Sequence, residues 1–366
     1  MNLKKRSLQF AQNLLGSHMS KRAIVDDAKM LKSYKQAELT SEEIQDINKL
    51  WGKIIPHPKI GYPYFRIYKY YGNFDARYVP GPYYYPWIIR ALNPKEYYHT
   101  LIHKSLFRHI LADLPQPCTL ISAANGAILD HNSRTVTTET AIKNIMEYNN
   151  RVIVKGSAHA GGGRSVVFLE KGTTQEDVAK TLAQFNQNYV VQEIIEGSPA
   201  LDVFNPSSLN TIRVYTLLLN GKISACEAIL RIGAPGAILD NLQQGGTMIG
   251  IDLQTGTLSP YGYSLNGEKI LGRNKISFEG YKIPGFNKIL QWAYEGHARI
   301  APCRFAAWDF ALDKNNEPAF IEVNLYWPGI RINQIVSGPV FANRTEEMIN
   351  YVDWYKKHKG WRYFVE

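Results

Sequence analysis

Two apolar runs, Phe305 to Leu312 and Ala319 to Asn324, read as strands, and Asp313 to Pro318 between them supplies the Asp, Asn and Pro of a turn. With that turn centred between Asn315 and Asn316, Asp309 lies opposite Glu322 and Ala307 opposite Asn324. Glu322 and Asn324, two residues apart, share a face. Directly opposed residues stand about 4.5–5.5 Å apart at Cβ, so two carboxylates there repel each other unless something positive sits between them. A hard divalent cation suits the place. Mg²⁺ prefers oxygen ligands, takes few carboxylates and completes its shell with water and phosphate oxygens. Asp309, Glu322 and Asn324 are therefore candidate metal ligands. A carboxylate pair sharing a proton, a general acid/base couple and two solvated side chains are the other readings. The metal comes first because the Asn324 amide oxygen ligates but cannot exchange protons.

A second hairpin is marked by Asn220-Gly221, a two-residue turn signal between Thr211 to Leu219 and Lys222 to Arg231. Arg213 and Arg231 are candidate catalytic cations, able to hold a transferring phosphate or a substrate carboxylate by forked hydrogen bonds. Strand-edge charges are the alternative. Regular pairing about Asn220-Gly221 sends the two arginines to opposite faces, so a joint role requires a bulge or a strand end. A loop with Asp240-Asn241 and Gly245-Gly246 follows, and then a strand from Thr247 to Asp252.

Upstream, Arg151 to Lys155 is strand-like, Gly156 to Arg164 contains Gly161, Gly162 and Gly163, and Ser165 to Leu169 is strand-like again. Glycines there let backbone N–H groups approach phosphate oxygens and let the loop move. No Lys-Ser/Thr follows the glycines and no helix follows the loop, which excludes a Walker A loop and a Rossmann turn. A plain mobile turn is the other reading. Asn188 to Gly197 is a short apolar strand that turns polar at Gln192 and Glu193, either a solvated strand end or a hinge whose backbone reads an adenine edge.

Composition bounds the class. The chain has 366 residues, 45% of them hydrophobic, and 42 Lys and Arg against 32 Asp and Glu, for a net charge of +10. Length suits two or three lobes, and the charge suits an anionic partner such as a nucleotide, sugar phosphate, nucleic acid or acidic membrane. No base-reading motif is present, so nucleic acid is not expected. Cys118, Cys226 and Cys303 are widely spaced, which fits reduced thiols in the cytoplasm rather than a disulfide or zinc framework. Gln9, Gln12 and Asn13 interrupt the first apolar stretch, so a signal peptide is not expected. No run reaches the roughly 18 apolar residues of a membrane span, which predicts a soluble protein. Leu3, Ser7, Phe10 and Leu14 share a helical face, giving either a terminal helix packed on its domain or a weak peripheral membrane contact.

The chain divides into a helical extension over 1–50, an N-terminal lobe over 51–145, a lid over 146–200 and a catalytic part over 201–366. Thr40 to Glu43 signals a helix start, and 54–98 is rich in Pro, Gly and Tyr, which reads as an irregular, packed linker. Its tyrosines serve either as packing or as stacking faces for a sugar or base. A helix over 97–111, a strand over 119–122 and a helix over 138–149 make a mixed α/β (α+β) lobe.

Taken in order, the lysine and glycine lid, the Gln192-Glu193 hinge, Arg213, Arg231, Asp240-Asn241 with Gly245-Gly246, and then Asp309, Glu322 and Asn324 resemble the ATP-grasp superfamily. Asn205 to Arg213 and Asp240 to Gly246 are similar to the sugar-transfer-associated ATP-grasp family, the likeness running from about Tyr70 to Phe341. The resemblance implies two α+β subdomains gripping ATP, with Lys155 and Lys104 on the phosphates and Glu193 and Ile195 offering backbone groups to adenine. It places Asp240 and Asn241 by the phosphates and makes Asp309, Glu322 and Asn324 the Mg²⁺ ligands. It implies an ATP-dependent ligase joining a small-molecule carboxylate to an amine, on a sugar precursor in the polysaccharide setting. A phosphotransferase and a non-catalytic nucleotide binder share the same pattern. His103 stands before Lys104 where the family commonly has Asp, and Leu239 where some peptide-forming relatives have Arg.

Overall fold

Antiparallel hairpins organise the molecule. The computed structural model describes residues 3–157, 166–238, 240, 245–326 and 328–359. Within these, Gly161, Gly162, Gly163, Leu239 and Asn241 fall outside the described residues.

A five-stranded antiparallel sheet has the order β2-β1-β5-β3-β4. Its strands are β1 (Thr119–Ala124), β2 (Ala127–Asp130), β3 (Val152–Gly156), β4 (Val166–Leu169) and β5 (Tyr189–Glu193). Helices Thr138–Tyr148 and Gln175–Ala183 cover it, and Ile142, Ile145, Val178 and Leu182 pack on Ile121, Val154 and Val191. A larger seven-stranded sheet runs β10-β9-β8-β7-β6-β13-β14. It comprises β6 (Thr211–Leu219), β7 (Lys222–Ile232), β8 (Thr247–Ile251), β9 (Leu258–Ser264), β10 (Lys269–Ile270), β13 (Phe305–Leu312) and β14 (Pro318–Asn324). Between β10 and β13, β11 (Gly272–Arg273) and β12 (Ile276–Ser277) form a small ribbon.

Every residue of β13 is buried. It lies between β6 and β14, its apolar side chains facing helix Phe286–Arg299 on one side and the N-terminal helices on the other. Trp308 donates Nε1–H to Thr216 Oγ1 at 2.8 Å, and His297 Nδ1 shares the same hydroxyl at 2.6 Å. One hydroxyl thereby satisfies two buried ring groups.

The β6–β7 turn is the one the sequence predicts. Leu219 pairs with Lys222, and Asn220 and Gly221 take φ of 49° and 73°, the left-handed pair a tight hairpin requires. A Cβ on Gly221 would meet nothing within 4 Å, so only backbone strain opposes a side chain there. Gly221→Ala should lower unfolding free energy by about 1–2 kcal/mol, read by denaturant titration, with secondary structure unchanged.

Other expectations change. The Tyr- and Pro-rich stretch is largely helical rather than irregular: helix Tyr62–Tyr71 and a series of short turns over 81–92 replace the linker. Pro63 and Pro82 sit in first turns, where a missing N–H costs nothing. Tyr64, Tyr68, Tyr83, Tyr84 and Trp87 are core, which favours packing over ligand stacking for these rings. The helix over 97–111 is two helices, Lys95–Leu101 and Lys104–Ile110, broken at Ile102 and His103. A division at residue 145 falls inside helix Thr138–Tyr148, and the small sheet draws strands from both sides of it, because β1 pairs with β5.

Helix Leu3–Asp26 docks through Gly16 against Trp87, and Ser20 accepts from Trp87 and donates to Pro82 O. That supports the packed reading for its second half; the side chains of Leu3, Ser7 and Phe10 lie outside the described ones, and Leu14 is exposed. Among the described residues no helix is long and apolar enough to cross a membrane.

Candidate active site

The carboxylate hairpin pairs as the site requires, by a route the turn alone does not predict. Leu312 pairs with Pro318 and Phe310 with Phe320, one residue out of step with a turn centred between Asn315 and Asn316. A bulge at Ile321 restores the step, and Asp309 then faces Glu322 and Ala307 faces Asn324. Asn324 Nδ2 lies 3.3 Å from an oxygen of each carboxylate.

A second bulge settles the arginines. Between Tyr215 and Thr216 the β6–β7 register shifts past Cys226, so Arg231 lies opposite Thr211 rather than Asn210. Arg213 and Arg231 therefore share one face. Arg213 grips Asp309 with its fork, Nε to one oxygen at 2.6 Å and Nη2 to the other at 2.5 Å, and Arg231 Nη1 approaches the same carboxylate at 3.5 Å. Asp240 closes the row, accepting from Arg231 at 3.5 Å and from the Thr211 hydroxyl.

The small sheet contributes from the other side. Lys104 Nζ meets Glu322 at 2.9 Å, and the Lys104 amide donates to Ser157 O just past β3, which ties the two lysine-bearing segments together. His103 bonds Ser105 through Nδ1 at 2.5 Å and approaches Ser157 through Nε2 at 3.3 Å, so it braces this junction. Gln192 is buried and donates to Thr119, while the Glu193 side chain accepts from the Cys118 amide, so neither is a solvated strand end. The Glu193 amide donates to Cys118 O, which fixes this strand end against the start of β1. Ile195 lies just beyond β5, half-buried.

Electrostatics follow from this packing. Burial alone would raise Glu322, but Lys104, Arg213 and Lys155 outweigh it and hold the carboxyl well below its usual range. Burial pushes Asp309 upward against the pull of Arg213 and Arg231, and Asp309 in turn holds the Arg213 guanidinium well above its ordinary value despite burial. The pair is ionic at neutral pH, since a guanidinium keeps its charge and both carboxylate oxygens are forked. Burial brings Lys155 down to about 8, with Glu322 opposing and Lys104 adding to the fall.

That value has a sign. The resemblance assigns Lys155 to the phosphates of ATP, which as anions pair with the ammonium form; on that assignment apparent ATP affinity should weaken as pH rises through about 8, by up to about tenfold per unit. Measuring the KM for ATP from pH 7 to 9.5 checks this, and Lys155→Arg should remove the step, because arginine does not titrate there.

Asp309, Glu322 and Asn324 offer only oxygen donors once the Asn324 amide is turned, which fits Mg²⁺. No group of three or more His, Cys, Asp or Glu among the described residues could hold a metal, so the amide is needed. The sequence pattern does not single out Glu227, a buried carboxylate opposite Tyr215 on the same face; its one signal is an acid inside an apolar strand.

Among solved structures, the chain is similar to the D-alanine-D-alanine ligase from Coxiella burnetii, with 13% identity over 71% of this chain and 60% of that one, at a TM-score of 0.43. It is likewise similar to D-alanyl-alanine synthetase A from Vibrio cholerae, with 14% identity over 70% and 65%, at 0.42. Biotin carboxylase from Campylobacter jejuni aligns at 17% identity over 69% and 46%, at 0.43. The chain thus spans less than two thirds of each of these proteins. No curated protein matches it. The family model described as sugar-transfer associated ATP-grasp matches residues 87–350, well over half of its length. The chain belongs to the sugar-transfer associated ATP-grasp family.

Proposed function

We propose that the protein is an ATP- and Mg²⁺-dependent carboxylate–amine ligase that forms an amide through an acyl phosphate, acting on a sugar or amino acid unit of a surface-polysaccharide precursor in the cytoplasm. One observation carries the reading: two carboxylates and an amide converge between four cations, Lys104, Lys155, Arg213 and Arg231. Such a set suits a nucleotide's phosphates and a metal together, since neither sign is left in excess. Bound Mg²⁺ would screen the phosphate charge so that a carboxylate oxygen can attack the terminal phosphorus.

The chain's own residues have separable tasks. Lys104 and Lys155 orient the phosphates from the small sheet, with the adjoining glycine loop and Asn241 as further candidates outside the described residues. Asp240 fixes Arg231, and the two arginines stabilise charge that develops on the transferring group. The Glu193 carbonyl and the Ile195 backbone would take the adenine edge. The family's description supports the sugar setting, and the absence of any identified base-reading element favours small-molecule partners over nucleic acid.

The test is ADP release across a panel of sugar acids and amino acids with hydroxylamine present. A hydroxamate trapped from an acyl phosphate supports the reading, whereas a stable phosphorylated small molecule with no hydroxamate would sink it in favour of a phosphotransferase.

A further inference from the structure

Glu227 stands apart from the network just described. Its side chain is 3% exposed, and neither carboxylate oxygen has a hydrogen-bond partner among the described residues. Asn333 and Ser337, on the short helix Asn333–Ser337, lie close enough to favour its charged form, but Asn333 Nδ2 spends its two protons on Tyr215 Oη at 2.5 Å and Gly329 O at 3.2 Å. Tyr215 Oη in turn donates to Gly329 O at 2.6 Å, so Tyr215 has no second proton for the carboxylate. Arg213, the closest cation, has its fork turned to Asp309. A buried carboxyl left in this condition is uncommon and calls for a ligand or a proton.

Its position identifies the ligand's chemistry. Glu227 pairs with Tyr215 and Arg213 with Ile229, so the carboxyl lies diagonally across the β6–β7 pair from Arg213, about 7–8 Å along the same face. A group there must be cationic, donate N–H bonds and be small. A primary ammonium meets all three conditions and would approach an acyl group held at Arg213 from the side that carries negative charge.

We propose that Glu227 receives the ammonium group of the amine substrate and takes one of its protons, an inference that rests on the ligase reading. The step balances within the site. One ammonium proton moves to Glu227, and the nitrogen lone pair forms the C–N bond to the activated acyl carbon. The bond from that carbon to the phosphate oxygen breaks, and phosphate leaves with the bonding electrons and a second nitrogen proton. Burial supports the assignment by pushing the Glu227 carboxyl up to about 8, against the pull of Ser337, Asn333 and Arg213, which suits a group that both gains and loses a proton.

Thermal unfolding of the full chain without ATP, in methylammonium chloride against tetramethylammonium chloride at equal ionic strength and pH 9, tests this directly. Methylammonium should raise the melting temperature in a saturable way, tetramethylammonium should not, and Glu227→Gln should weaken the apparent affinity by about tenfold or more. Equal responses to the two cations, or an unchanged response in Glu227→Gln, would overturn the assignment. Should that variant not fold, the wild type alone decides. Its methylammonium response must grow from pH 6.5 to 9, because alkyl ammonium stays charged to about 10 while Glu227 ionises. The groups facing Glu227 do not titrate in that window, Arg213 remaining charged and Tyr215 being raised to about 12; a flat profile overturns the proposal. Neither readout involves ATP, so failure of the hydroxylamine assay would sink the ligase reading without altering the cation response.

Discussion

Replacing Asp309 by Asn together with Glu322 by Gln should cut ATP turnover by about three orders of magnitude or more while the protein still folds. The substitutions keep size and hydrogen-bonding shape but remove both negative charges opposite each other on β13 and β14. In the native site these charges stand among four cations, and the proposed Mg²⁺ would lose both of its carboxylate ligands. Their loss leaves Lys104, Lys155, Arg213 and Arg231 facing one another. Asp240 still pairs with Arg231, and the phosphates of ATP become the main counter-charge for the other cations, so the variant should still bind nucleotide, and binding without turnover is the signature to seek. ADP release measures the loss, isothermal titration with ATP measures the retained binding, and circular dichroism with the melting temperature establishes folding. Turnover within tenfold of the wild type, in a folded variant, would remove these residues from the phosphate site.

The contrast between what the sequence discloses and what it hides is local in origin. Short-range signals read well. The Asn220-Gly221 turn, the Thr40 capping box with Glu43, and the strand limits of β6 and β13 all depend on residues within a few positions of one another. The face of a side chain far from its turn reads less well, because one extra residue reverses it. Cys226 is such a residue: it is neither Gly nor a turn former, and its insertion is what unites Arg213 with Arg231. Ile321 does the same for Glu322, so the Asp309–Glu322 opposition predicted from a simple turn is reached through two offsets that cancel. The helices of the Tyr-rich stretch were hidden for a different reason. Prolines at helix starts look like breakers in sequence, and the choice between the two roles depends on the tertiary core that Tyr64, Tyr83 and Trp87 build. Lys104 reaches Glu322, a carboxylate that Lys155 also acts on, because helix Lys104–Ile110 is anchored through Ser157, a contact between segments about fifty residues apart.

The same burial that makes the Arg213–Asp309 pair useful makes it fragile, and stability and activity should separate there. Arg213→Met removes the fork from a carboxylate that is 4% exposed, leaving Arg231 at 3.5 Å as its one remaining guanidinium. Breaking one side of a buried pair typically costs about 3–5 kcal/mol, more than the pair itself contributes, because the partner is left charged and dry. Arg213→Lys should recover only part of that loss, since an ammonium cannot donate to both Asp309 oxygens in one plane. Adding Asp309→Leu to Arg213→Met should restore most of the stability, because the desolvated charge is then gone and β13 is otherwise apolar. Turnover should stay absent in that double variant. Denaturant unfolding of the wild type, both single variants and the double variant gives the coupling directly. A double variant no more stable than Arg213→Met would mean that the cost arises from lost packing of the arginine stem and not from the stranded carboxylate. Recovered turnover in it would show that the pair holds the fold and takes no part in the chemistry.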